Sequence, residues 1–265
     1  MHQVNSEQPG SPHPPERALH LLYHELQPTP SHYSYVVETG SFERHLDLYL
    51  AIRRAGHGNL FPELTFDDGH ISNLKQALPC LQSREMTARF FITAGWTGNK
   101  PGYMGWNELR KLHEAGQPIG AHGLTHTLLT HCNEARLRAE LVDARSMLED
   151  GLGASITTMS LPGGRSNRRV LEACREAGYE RIYTSVPRAE ALPLGPMVGR
   201  LNIRGDMSLE WIAQVLQPES GVLRKLGRMD EVKSVAKKVM GDRLYERVWA
   251  LVNKKDADPA GGDAA

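Results

Sequence analysis

The chain has 265 residues, 40% of them apolar and 23% charged, with 31 Lys/Arg set against 31 Asp/Glu. That length supports a full α/β core, and this composition excludes disordered, collagenous and coiled-coil chains. The balanced charge gives no global field for nucleic acid or anionic lipid, and no run of about 18 apolar residues offers a membrane-spanning helix.

Residues 1–17 contain four prolines and read as a disordered leader. They lack the basic and apolar regions of a secretory signal, so the expected location is the cytoplasm. From there short apolar runs alternate with helical patterns. Strands are expected at 19–23, 60–66, 88–93, 118–121, 156–161, 181–185 and 198–203. Helices are expected at 41–56, with Ser41 as N-cap and Gly56 as stop; at 106–115, stopping at Gly116; at 133–149; and from a cap at Ser166 or Asn167 to Gly178. Such alternation implies parallel strands with right-handed crossovers. About seven units suit a closed or nearly closed barrel spanning 18–220, with an open doubly wound sheet as the rival.

Residues 221–255 differ, with ten Lys/Arg against four Asp/Glu and with Leu226, Val232, Val235, Val239, Leu244 and Val248 at helical spacing. This is a basic amphipathic helical tail, packed on the barrel or else lying against a membrane surface or partner. Residues 256–265 read as a disordered end. The three cysteines, Cys80, Cys132 and Cys174, are too far apart for a CxxC site and read as buried small hydrophobes.

The chemistry concentrates in two places. At Thr65-Phe66-Asp67-Asp68-Gly69 an apolar run ends in adjacent carboxylates and a glycine able to turn the chain. At His122-Gly123-Leu124-Thr125-His126 two histidines stand four residues apart after another short strand. In a helical turn that spacing shares a face, so both imidazoles converge on one ion. Two histidines and a carboxylate form an open transition-metal site with positions left for water and substrate.

These motifs resemble those of the polysaccharide deacetylases with the NodB homology domain, carbohydrate esterase family four. TFDDG stands unbroken, and His122–His126 matches the second motif with Gly123 where serine or threonine is usual. The resemblance spans about residues 19 to 205 and implies an irregular (β/α)7 barrel of the NodB type. It implies that Asp68, His122 and His126 hold zinc or another divalent transition metal, with Asp67 as general base. The third motif is represented by Leu161-Pro162-Gly163-Gly164-Arg165, without its leading arginine. By resemblance, Gly163 supplies an oxyanion N–H and Pro162 and Arg165 adjoin the substrate. The residue that orients Asp67 is left open between Arg165, unless it faces solvent at a helix start, and the arginines Arg200 and Arg204 flanking 201–203.

The family's late histidine is absent, because the last of the 12 histidines is His131. The circularly permuted poly-N-acetylglucosamine deacetylase branch places its acid on the first strand, which here makes His24 the expected general acid. The alternative for His24 is a strand cap. Trp96 and Trp106, near Tyr103, either stack on a sugar or belong to the core. His70 can approach the site, and His113 and His131 read as surface groups.

The activity expected from this resemblance is metal-dependent removal of an acetyl or other acyl group from an N-acetylated sugar, polysaccharide or glycoconjugate. The partner is then an acylated carbohydrate rather than nucleic acid. Two alternatives use the same barrel: an amidase, deformylase or O-acyl esterase, and a catalytically dead module that binds glycan or protein.

Overall fold

The computed structural model describes residues 17–56 and 60–240, with side chains to residue 232. Strands β1 (Arg17–Tyr23), β2 (Glu25–Gln27) and β3 (Val36–Glu38) precede helix α1 (Thr39–Ala55) and β4 (Phe61–Phe66). Next come α2 (Leu78–Gln82), β5 (Arg89–Ile92), α3 (Trp106–Glu114), β6 (Ile119–Ala121), α4 (Glu134–Arg138) and α5 (Ala144–Leu152). The remainder is β7 (Thr158–Ser160), α6 (Arg168–Glu176), β8 (Arg181–Tyr183), β9 (Glu190–Ala191), β10 (Met197–Val198), β11 (Arg200–Asn202), α7 (Leu209–Val215) and α8 (Val222–Met240).

The large sheet runs β10-β8-β7-β6-β5-β4-β1-β11, and β9 lies antiparallel beside β1. Its two ends are one piece of chain, since only Gly199 separates β10, paired with β8, from β11, paired with β1. Residues 197–202 therefore join the sheet's edges and make a nearly closed barrel. Gly199 is required at this break, because a Cβ there would stand 2.6 Å from the Val186 carbonyl oxygen. Its N–H donates to the Glu190 carboxylate at 2.7 Å. The barrel expected from the strand count is thus present, with its last strand broken in two. Residues β2, β3 and β9 carry too few apolar positions to announce themselves as strands.

Alternation sorts the side chains. On β1, Leu19, Leu21 and Tyr23 face outward into the main core with Phe42, Leu46 and Tyr49 of α1, while His20 turns inward beside Tyr183. Phe66 stacks between Phe90 at 5.0 Å and Tyr23 at 5.4 Å, where truncating one ring costs about 3–5 kcal/mol. Inside the barrel a small cluster of Phe91, Tyr183 and Val198 forms a floor.

Most helix ends agree with the sequence. Asn133 and Asn167 accept from the N–H groups of Arg136 and Val170, and Gly153 ends α5 in the left-handed region. α1 begins three residues early, with Glu38 rather than Ser41 at its N-cap position; the Ser41 hydroxyl bonds the Glu38 carboxylate instead. The long helix expected at 133–149 contains a π-turn over Ala139–Asp143. Arg17 belongs to β1, and the rest of the expected leader lies outside the described residues, as does the expected end at 256–265. Helix α8 begins the basic tail, with Leu223 and Leu226 against the core and Val232 68% exposed, so that position does not join a packed stripe. Leu244 and Val248 lie outside the described residues.

Candidate active site

Asp67 extends the inward column of β4, its N–H bonding the Tyr23 carbonyl at 3.0 Å. Adjacent strand residues normally face opposite ways. Here Asp68 takes φ 75° and Gly69 φ 86°, so the chain turns over and Asp68 also reaches the pocket. A non-glycine residue in that region costs roughly 1–2 kcal/mol, so the turn is held by its surroundings.

His122 follows β6, with its N–H on the Ile92 carbonyl at 2.8 Å. Its Nδ1 lies 2.9 Å from the Ser160 carbonyl oxygen, which can only accept. That bond puts the proton on Nδ1 and leaves Nε2 as an acceptor. His126 does not share a helical turn with it. Gly123 at φ 78° and His126 at φ 63° bend the segment into an irregular loop. Both imidazoles nevertheless bring Nε2 to 3.3 Å from Asp68 Oδ1.

Glu140, fully buried on the π-turn, holds this loop. It accepts from the N–H groups of Leu124 at 2.8 Å and Thr125 at 2.9 Å, and from the Thr125 hydroxyl. Arg136 donates to Glu140 at 3.0 Å and to Thr125 Oγ1 at 2.7 Å. The departure at Gly123 follows from the same geometry. With φ 78°, a Cβ there would meet Glu140 Oε2 at 3.2 Å and Pro162 Cγ at 3.5 Å.

Asp68, His122 and His126 present ligand atoms all within 4.8 Å of one another. Asp68 Oδ1 is buried without a hydrogen bond among the described residues, facing an acceptor nitrogen of His122. Two imidazole nitrogens and a carboxylate oxygen converging this closely fit a divalent cation. Burial alone would raise the Asp68 pKa, but the two histidines draw it well below the carboxylate range. Burial would lower that of His122, yet Asp67 and Asp68 raise it above the ordinary value, so the pocket demands a positive charge.

Asp67 is held by the barrel's closing strand. Arg200, fully buried on β11, forks onto its carboxylate with Nη1 to Oδ1 at 2.7 Å and Nη2 to Oδ2 at 2.8 Å. Ser160 Oγ donates to Oδ2 at 2.9 Å and accepts from Arg200 Nη2 at 2.7 Å. Burial works to raise the Asp67 pKa, and the Arg200 guanidinium with His122 outweighs it, keeping the carboxyl below its usual value. Of the arginines considered from sequence, Arg200 takes the orienting role.

His24, just past β1, has its ring 5.0 Å from that of Tyr35, and its Nδ1 is buried without a partner among the described residues. Burial lowers its pKa, and the charges of Asp68 and Asp67 oppose the shift. Gly163 sits at φ 64° on the loop after β7, where a Cβ would stand 2.6 Å from Leu128. Pro162 is beside Gly123, and Arg165 follows at the loop's end. The ring of Trp96 lies 5.1 Å from that of His126 and carries the Lys100 ammonium 3.4 Å from its centre. Trp106 is elsewhere, opening α3 and packing on Gly151, where a Cβ would meet its ring. It belongs to the core rather than the pocket. His70 bonds Ser72 at 2.8 Å and approaches Glu25 at 3.8 Å instead of joining the ligand set.

Residues 62–182 match the family model for polysaccharide deacetylase. The chain is 27% identical over 123 residues to a peptidoglycan-N-acetylglucosamine deacetylase of Bacillus cereus, covering 46% of this chain and 55% of that protein. It is 27% identical over 133 residues to a chitooligosaccharide deacetylase of Bradyrhizobium, covering 49% and 58%. With Bacillus subtilis YxkH it shares 26% over 132 residues, or 50% of this chain and 47% of that one. The chain thus matches about half the length of each of these relatives. Among solved structures, the Streptococcus pyogenes deacetylase PplD aligns with TM-score 0.67 and 19% identity, covering 77% of this chain and all 100% of that one. IcaB from Ammonifex degensii aligns with TM-score 0.62 and 21% identity, covering 76% and 97%. At these identities the solved neighbours establish the barrel fold.

Proposed function

We propose that this chain, a member of the polysaccharide deacetylase family, is a divalent-metal-dependent hydrolase that removes acetyl groups from N-acetylated sugars of a poly- or oligosaccharide. One observation carries the reading: ligand atoms of Asp68, His122 and His126 converge beside a second carboxylate, Asp67, that Arg200 holds ionised. Bound between those ligands, zinc or a similar cation supplies Lewis-acid polarisation of the acetyl carbonyl and acidifies the attacking water.

The chain's own residues divide the remaining tasks. Asp67, fixed by Arg200 and Ser160 so that its carboxylate cannot swing away, accepts the proton of the attacking water. The Gly163 N–H steadies negative charge on the acetyl oxygen. His24 protonates the departing sugar nitrogen, and burial makes its imidazolium the more acidic for that step. Trp96, next to His126, offers a ring on which a sugar face can stack.

The test is acetate release from N-acetylglucosamine oligomers by chelator-stripped and zinc-restored protein. Activity should appear only with metal, and Asp67→Asn should lower kcat by about 10²–10⁴-fold while metal stays bound. Unchanged turnover in Asp67→Asn, or full activity after chelation, overturns the proposal.

A further inference from the structure

The lower half of the barrel carries a second chamber, lined by residues that hold none of the metal-ligand positions. Alternation along β4 aligns Thr65 and Glu63 inward beneath Asp67, Glu63 being about 13 Å lower along the strand. The register sets His20 of β1 across from Glu63, Arg89 of β5 across from Thr65, and Thr158 of β7 across from Arg181 of β8. Between this layer and Asp67 lies the floor, with the Arg200 guanidinium 5.3 Å from the centre of Phe91 and 5.9 Å from that of Tyr183. Below the floor is a cavity of about 230 Å³ lined by His20, Glu63, Arg89, Arg181, Tyr183 and Leu194, among others.

Its charges are not balanced by its own walls. Glu63 is the one carboxylate of that lining, and it also faces Arg53 at 3.9 Å. Arg89 donates to the Thr158 hydroxyl at 3.3 Å, while Arg181 makes no ion pair among the described residues. His20 is 3% exposed, and its Nδ1 has no hydrogen-bond partner among the described residues. Burial, with Arg200, Arg89 and Arg181, lowers its pKa to about 4, so at neutral pH the ring is uncharged and offers one donor and one acceptor. A buried imidazole nitrogen without a hydrogen-bond partner costs free energy that a bound group recovers.

We propose that this chamber binds a small organic oxyanion, with its charged end between Arg89 and Arg181 and its body against Leu192 and Leu194. The volume equals that of about seven or eight liquid waters, too roomy for a bare ion alone. The fork of a guanidinium matches the paired oxygens of phosphate or carboxylate, and Glu63 and His20 are placed to bond a hydroxyl of the body.

Calorimetric titration of the full-length, metal-loaded protein with glycerol 3-phosphate, glycerate and glycerol tests this. Both anions should bind and glycerol should not, and the ratio of the two affinities says whether phosphate or carboxylate is preferred. Arg89→Gln and Arg181→Gln should each weaken binding about tenfold or more, with bound metal unchanged. Leu194→Glu, which adds a carboxylate to the chamber without touching either arginine, should abolish it. Undiminished binding to the Arg89→Gln/Arg181→Gln double variant, or no saturable binding in the millimolar range, refutes the proposal. Neither result bears on acetate release, so the two readings fail separately.

Discussion

Arg200→Met exposes what holds the reactive carboxylate. Arg200 donates to the Thr184 carbonyl at 3.0 Å, to Thr65 Oγ1 at 3.3 Å, to Ser160 Oγ at 2.7 Å and twice to Asp67 at 2.7 and 2.8 Å. Methionine fills much of the same space but donates nothing, leaving Asp67, 2% exposed, with the Ser160 hydroxyl as its side-chain hydrogen-bond donor among the described residues and His122 Nε2 at 3.8 Å. Breaking one side of a buried pair costs about 3–5 kcal/mol, a large part of the roughly 5–15 kcal/mol that keeps a domain folded. Urea unfolding at pH 7 should show that loss, and Tm should fall by about 10 °C.

The same change acts on chemistry with a definite sign. Arg200 is the main influence lowering the Asp67 pKa against burial, so its removal raises that pKa. The acid limb of kcat/KM should therefore move to higher pH. In an Asp67→Asn background no buried charge is stranded, and Arg200→Met should cost much less. A penalty of the same size with and without the Asp67 charge, or an acid limb that does not move, refutes the reasoning.

Glu140→Gln replaces a carboxylate that accepts from two loop N–H groups and a hydroxyl, and it should weaken zinc binding about 10–100-fold in a competition titration while the barrel stays folded. Gly123→Ser restores the residue usual in the second motif, yet it should destabilise by about 1–2 kcal/mol and loosen metal, because the backbone is at φ 78° and Glu140 occupies the space; equal or tighter zinc binding contradicts this. His20 and His45 are both 3% exposed with pKa values lowered by burial to about 4. The unfolded chain binds more protons than the folded one between about pH 6.5 and 4, so stability falls on acidification through that window. Denaturant unfolding should lose about 2 kcal/mol per histidine between pH 7 and pH 5, and His45→Gln should flatten the slope.

The legible parts of this molecule are those with local causes. Asp67, Asp68, His122 and His126 announce themselves because motif residues sit within five positions of one another at strand ends. Seven apolar runs suffice for the barrel because buried parallel strands need little else. The His122–His126 loop was open to misreading as a helical turn, since spacing four fits both shapes. Only the left-handed φ at Gly123 and His126, imposed by Glu140, distinguishes them. Glu140 itself reads as an ordinary polar position of an amphipathic helix, and the π-turn that sends it inward leaves no mark in the pattern. Trp106 and Trp96 are equivalent on paper, and packing on Gly151 separates them.

Arg200 shows why an absent motif residue need not mean an absent function. The first strand pairs with β4 on one side and with β11 on the other, so closure brings residue 200 to a carboxylate 133 positions earlier. The end of β7, where the third motif normally begins with arginine, supplies the smaller Ser160 to the same carboxylate. In a closed barrel a carboxylate can be reached from any strand whose inner face has a side chain long enough. What the chemistry requires is a buried guanidinium meeting both oxygens of Asp67, and two neighbouring strands or two distant ones satisfy that equally. The same reasoning applies to His24, whose strand lies between those that carry Asp67 and Arg200. His24 follows the end of that strand, and the charges of Asp67 and Asp68 act on it against burial.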